Sequence, residues 1–115
     1  MNRDESCLKA ILREINSIPS ILKGYNQERF LQSEKTQKAV CMTLLNIGEL
    51  VKALSDELKA DNTAVPWRQI AGLRDLAAHQ YHSLNMERIW ITAKIDLSSL
   101  KLAITRILNH MKESG

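Results

Sequence analysis

Two proline and four glycine residues in a chain of 115 leave almost no material for linkers or low-complexity segments. Two cysteines, Cys7 and Cys41, lie far apart within helical patterns. They are expected as small core residues in a reducing, cytoplasmic setting rather than as a disulfide framework or a zinc cluster. One Phe, two Trp and two Tyr supply no array of stacking rings, so composition gives no base preference for a nucleic acid. The longest apolar run, "AVCM" at Ala39 to Met42, falls far short of the roughly 18 to 20 residues that a membrane span requires. The charged opening "MNRDES" is not that of a signal peptide.

What is present is ordinary for one folded unit: 44% hydrophobic and 25% charged residues, a net charge of +3 and a pI near 9.0. The length suits a single domain over residues 1–115, large enough for one core and too small for two. A modest positive charge permits an anionic partner without requiring one.

Apolar spacing is helical throughout, and no strand alternation or internal repeat occurs. Val40, Leu44, Ile47, Val51, Leu54 and Leu58 alternate by fours and threes, predicting a core-facing helix that begins near Glu28. Trp90, Ala93, Leu97, Leu100, Ile104, Ile107 and Met111 predict a closing helix with Asn85 as its N-cap. Leu8, Ile11, Leu12 and Ile15 predict a first helix that Pro19 kinks or ends, because the ring removes a backbone donor. After the loop signals of "DNTAVPWRQ", Pro66 opens a short helix with Trp67, Ile70, Leu73 and Ala77 on its buried side. That helix is expected to end between Ala78 and Tyr81, with "HSLN" as the following turn. The expected architecture is all-α, an up-and-down bundle of four to five antiparallel helices.

The chemistry concentrates in "GLRDLAAHQYHSLN", Gly72 to Asn85. Arg74 offers a permanently charged fork that matches phosphate oxygens, and His79 can accept or donate a proton near neutral pH. That pair suits cleavage of RNA, whose own 2′-hydroxyl is the nucleophile, so no metal or cofactor is needed. Five residues apart on a continuous helix, the two lie about 140° round the axis from each other. Convergence then needs the helix to end near His79, the Arg side chain to reach along the axis, or a second copy of the chain. One His per motif also leaves acid and base unpaired unless a two-fold dimer supplies both. Asp75, four before His79, could orient the imidazole or be a plain surface charge. Tyr81 could be a functional residue or a helix-end aromatic. His79 and His82 lack the grouped partners of a metal site, and His110 fits a solvated position on the dipole of the last helix.

Arg74, His79 and Tyr81 resemble the R-x-x-x-x-H-x-Y signature of the HEPN superfamily, and specifically of the HepT-like toxins. "NIGELVKALS" at Asn46 to Ser55 is similar to that family's segment with an I-G-E triplet, "VPWRQIAGLRD" to its entry into the motif helix, and "ERIW" to the opening of its last helix. The resemblance spans roughly residues 5–108. It implies an all-helical, metal-independent endoribonuclease toxin of a type VII pair, a homodimer or higher even-numbered assembly with its cleft at the interface. Arg74 and His79 would be catalytic. The implied partner is an MntA-like nucleotidyltransferase antitoxin that silences the toxin by transferring AMP to Tyr81. Two other readings stay open: a non-catalytic nucleotide- or substrate-binding partner of a nucleotidyltransferase, and a helical interaction protein. Asp75 stands where the family commonly has Asn, placing a negative charge beside the expected phosphate site, and Asn85 stands where Asp is frequent. Glu49 of the I-G-E triplet could position the motif helix or pair with Lys52. Gly48, inside a long helix, costs about 1 kcal/mol against Ala and marks a close helix contact.

Overall fold

The computed structural model describes residues 2–83 and 85–114, with side chains over 2–78 and 85–113. Every regular element among them is helical. Helix α1 (Arg3–Ile21) opens on Asn2, whose side chain accepts from the Glu5 N–H, and buries Leu8, Ile11, Ile15 and Ile18. Pro19 lies inside it, and the helix ends two residues later; Gly24, at φ 80°, then takes the left-handed conformation that turns the chain. A separate short helix, α2 (Gln27–Leu31), follows and buries Phe30 completely.

The core-facing helix therefore does not begin near Glu28. Helix α3 (Glu34–Lys52) starts six residues later, where the Ser33 hydroxyl accepts from the Thr36 N–H and closes the first turn. Its stripe of Val40, Leu44, Ile47 and Val51 has no solvent exposure. Leu54 and Leu58 continue the sequence pattern and are buried, but they belong to the turn after α3 and to α4 (Asp56–Asp61), which Ser55 caps. Each fully buried aliphatic side chain in this stripe contributes about 1.5–3 kcal/mol by leaving water.

Helices α1 and α3 run antiparallel: Asp4 accepts from the Ser55 N–H at 2.9 Å at one end, and Asn46 donates to Glu14 at 3.0 Å further along. The motif region forms α5 (Trp67–Ala71) and α6 (Leu73–Ser83), joined at Gly72. Trp67 is buried and donates from its indole to the Asn62 carbonyl at 3.0 Å, while Ala77 is buried and Ile70 and Leu73 are half-buried.

The last arm is built from α7 (Met86–Ile91), a π turn (Thr92–Asp96) and α8 (Leu97–Ser114). Asn85 occupies the N-cap position, but its side chain makes no capping hydrogen bond there. The π turn has a clear cause: buried Ile89, Ala93 and Leu97 are spaced by two successive fours, which would drift about 80° off a straight α-helical stripe. Its wider turn returns Leu97, Leu100, Ile104 and Ile107 to the core. Trp90 is only half-buried, tilted against Phe30 at a centroid distance of 5.3 Å. The arm lies antiparallel to α1, with Ile107 and His110 near Asp4 and with Ala93 near Ile18 and Leu22. The described residues thus form an all-α bundle, consistent with the HEPN-like architecture that the resemblance implies, with the short helices α2, α4, α5 and α7 set between longer ones. No helix among the described residues is long and apolar enough to cross a membrane.

Candidate active site

The motif helix is held against α3 at a point where there is no side chain on one partner. A Cβ built on Gly48 would lie 2.6 Å from the Arg74 nitrogen, 2.9 Å from the Ala71 carbonyl oxygen and 3.0 Å from the Arg74 Cβ. Two of those atoms are backbone, so even a methyl group would displace α6. The close helix contact marked by this glycine in the sequence is therefore present, and it falls on Arg74 itself.

The neighbours of Gly48 complete the seating. Ile47 is fully buried and anchors α3 on its core side. Glu49, on the rim, accepts from Nε of Arg74. The carboxylate of Asp75 meets Nη1 of the same guanidinium at 3.2 Å. Two carboxylates near the start of α6 also complement the positive end of its dipole. The Arg74 side chain remains 46% exposed, Glu49 49% and Asp75 77%. The guanidinium is thus fixed at two of its nitrogens while still open to water, a geometry able to receive an anion.

Glu49 has its ion pair with Arg74 and not with Lys52, which settles an alternative the sequence left open. Sequence patterning shows the seat only indirectly: a glycine inside a long helix announces a close approach, and the residue beside it then sits at the edge of that contact.

Helix α6 continues to Ser83, four residues beyond His79. The expected end between Ala78 and Tyr81 is therefore not observed, nor is the turn at His82 and Ser83; Leu84 lies outside the described residues. Convergence of Arg74 and His79 through an early helix end is excluded by this continuity. Within one copy their backbone positions remain about 140° apart. The side chains of His79, Tyr81 and His82 lie outside the described part of the structure. The described contact of Asp75 is with Arg74.

Away from this seat, α6 borders a groove of about 780 Å³ between α5–α6 and the last arm. Leu73, Leu76 and Leu100 line it, Ile95 lies at its wall with 62% exposure, and Arg88 and Arg106 add positive charge. Among the described residues no group of three or more potential metal ligands occurs. Cys41 is buried, which pushes its thiol up and leaves it unreactive, and Cys7 is half-buried against the core. His110 is exposed near the end of α8.

Residues 11–107 match the family described as ribonuclease HepT-like. A protein of Caldanaerobacter subterraneus subsp. tengcongensis named "Putative RNase" is 33% identical over 105 residues, covering 91% of this chain and 94% of its own length. A "Probable ribonuclease HepT" of Thermococcus cleftensis is 35% identical over 94 residues, 82% of this chain and 86% of its own. A "Putative RNase" of Methanocaldococcus jannaschii is 34% identical over 103 residues, 90% of this chain and 77% of its own. No solved structure matches the chain significantly. The chain belongs to the HepT-like ribonuclease family.

Proposed function

We propose that this chain, acting as one domain, is a metal-independent endoribonuclease in which Arg74 and His79 carry out the chemistry. The observation that carries the reading is the state of Arg74: seated on Gly48, held at Nε by Glu49, and still about half open to solvent. A guanidinium oriented in advance stabilises charge that develops on a phosphodiester without reorganising during the reaction.

In this reaction the 2′-oxygen attacks phosphorus as a base removes its proton, the P–O5′ bond breaks, and an acid protonates the departing 5′-oxygen. The products are a 2′,3′-cyclic phosphate and a 5′-hydroxyl. His79 of one copy would accept the first proton and His79 of a second copy would give the other. A two-fold dimer is supported by the uninterrupted α6, which leaves convergence of Arg74 and His79 to the reach of the Arg side chain along the axis or to a second copy. The uncovered apolar positions Ile91, Ile95 and Leu102 on the last arm also support it.

The same reading makes the chain the toxin of a type VII pair, acting in the cytoplasm. An MntA-like nucleotidyltransferase would silence it by transferring AMP to Tyr81, which lies seven residues after Arg74 on one helix. A nucleotide there adds bulk and phosphate charge beside the cleft and repels RNA.

The deciding experiment is cleavage of total RNA and of purified tRNA in EDTA by wild type, Arg74→Ala and His79→Ala, after protein mass has shown Tyr81 to be unmodified. The expected result is chelator-resistant cleavage with cyclic phosphate ends, lost in both variants. Failure of the unmodified wild type to cut RNA would sink the reading and favour a non-catalytic partner of a nucleotidyltransferase.

A further inference from the structure

We infer that Glu49 is a positioning residue for Arg74: it holds Nε so that the remaining donors of the guanidinium face the phosphodiester. The inference rests on the ribonuclease reading above, and it assigns to α3 a part in a reaction whose motif lies wholly on α6.

The argument begins with the backbone. Gly48 places α3 directly against the Arg74 nitrogen, so the next residue on α3 stands at a fixed offset from the root of the Arg74 side chain. Ile47, fully buried, prevents that segment from rotating. Glu49 then accepts from Nε of Arg74 across that contact. Of the five N–H donors of an arginine, Glu49 engages the one on Nε and Asp75 one on Nη1. Among the described residues no other side chain engages Nη2 or the second donor of Nη1, and these are the donors offered to a phosphate.

Exposure decides between a stabilising and an orienting role. Both side chains are about half exposed, at 46% and 49%. An ion pair that open to water adds little to folding, but it still restricts a long side chain with many rotamers. Its effect falls on the orientation of the guanidinium. Glu49 also brings a negative charge near an anionic substrate, so removing it cannot weaken RNA binding through charge.

These two effects give a signature that structural damage would not produce. Glu49→Ala should lower kcat about 10- to 100-fold through misorientation of Arg74, while KM for a short RNA stays level or falls. Glu49→Gln keeps an acceptor for Nε–H without the charge, so its kcat should stay within about threefold of wild type, again with KM level or lower. In parallel, the Nε–H resonance of Arg74 is followed by ¹⁵N NMR. It should be protected in wild type and in Glu49→Gln and exchange-broadened in Glu49→Ala.

A Glu49→Ala protein with wild-type kcat, with a raised KM, or with an unchanged Arg74 Nε–H signal overturns the inference while leaving the nuclease reading intact. A wild type that cuts no RNA overturns the nuclease reading and the positioning role together. The NMR signal then reports the Arg74–Glu49 pairing independently of any cleavage.

Discussion

The two flanks of the motif helix contrast sharply. Toward α3 the contact is closed so tightly at Gly48 that no Cβ fits, and a carboxylate on the same turn grips Arg74. Toward the last arm the same helix borders a groove of about 780 Å³ with Ile95 on its wall and Arg88 and Arg106 along it. One flank seats the root of a functional side chain against backbone atoms; the other is left uncovered in the single chain. The difference separates two tasks that one short helix must perform, since a catalytic group gains from packing that cannot give way, whereas an association surface must remain uncovered in the single chain.

The largest effect should come from breaking the closed flank. Gly48→Ala adds one methyl group, and helix propensity alone would favour Ala by about 1 kcal/mol. The added Cβ would nevertheless meet backbone atoms at 2.6 and 2.9 Å, so α6 must move away from α3. We expect a net loss of about 1–3 kcal/mol in urea unfolding and a fall of about 100-fold in RNA cleavage, because displacement of Arg74 by about an ångström suffices for that. A variant as stable and active as wild type would show that the contact is not closed.

The open flank is tested by Ile95→Asp. Ile95 is 62% exposed in the single chain, so the unfolding free energy of the monomer should stay within about 0.5 kcal/mol of wild type. If a second copy covers this surface, a charge placed there should weaken self-association about tenfold or more in sedimentation velocity, and cleavage should fall on dilution. Unchanged association would place the dimer contact elsewhere on the molecule.

The sequence carries these two flanks unequally. Spacing of apolar residues gives α1, the stripe of α3 and the all-α architecture, because burial imposes one period along each helix. It misplaces the start of α3, since Phe30 of α2 joins the same core before the Ser33 cap begins a new helix. The π turn is hidden because Trp90, three before Ala93, continues the alternation of threes and fours, and only burial shows that Ile89, four before Ala93, carries the stripe. Gly48 is legible as a contact because glycine inside a helix needs a reason. Its partner is not, since periodicity within one helix says nothing of which atoms of another helix lie opposite. Arg74 is legible by its chemistry, whereas Glu49 as its holder becomes visible only once α3 and α6 are packed.

The smallest expected effect sharpens the comparison most, because it acts at the boundary between the held and the open parts of the guanidinium. Asp75 meets Nη1 of Arg74 at 3.2 Å and is 77% exposed, far more open than a group packed into the seat. A phosphate approaching Arg74 must compete with that carboxylate and overcome its charge. Asp75→Asn removes the charge and keeps the shape, so RNA should bind about threefold more tightly, within the roughly 0–1 kcal/mol that exposed pairs contribute. The gain should shrink as salt rises, since charges this exposed are screened within about 8–10 Å. The opposite result is equally informative: lowered kcat with a displaced pH profile would mean that Asp75 serves His79, four residues on along α6, rather than Arg74. Tighter, salt-sensitive binding at unchanged kcat would instead make Asp75 a weak brake on an arginine that Glu49 already holds in place.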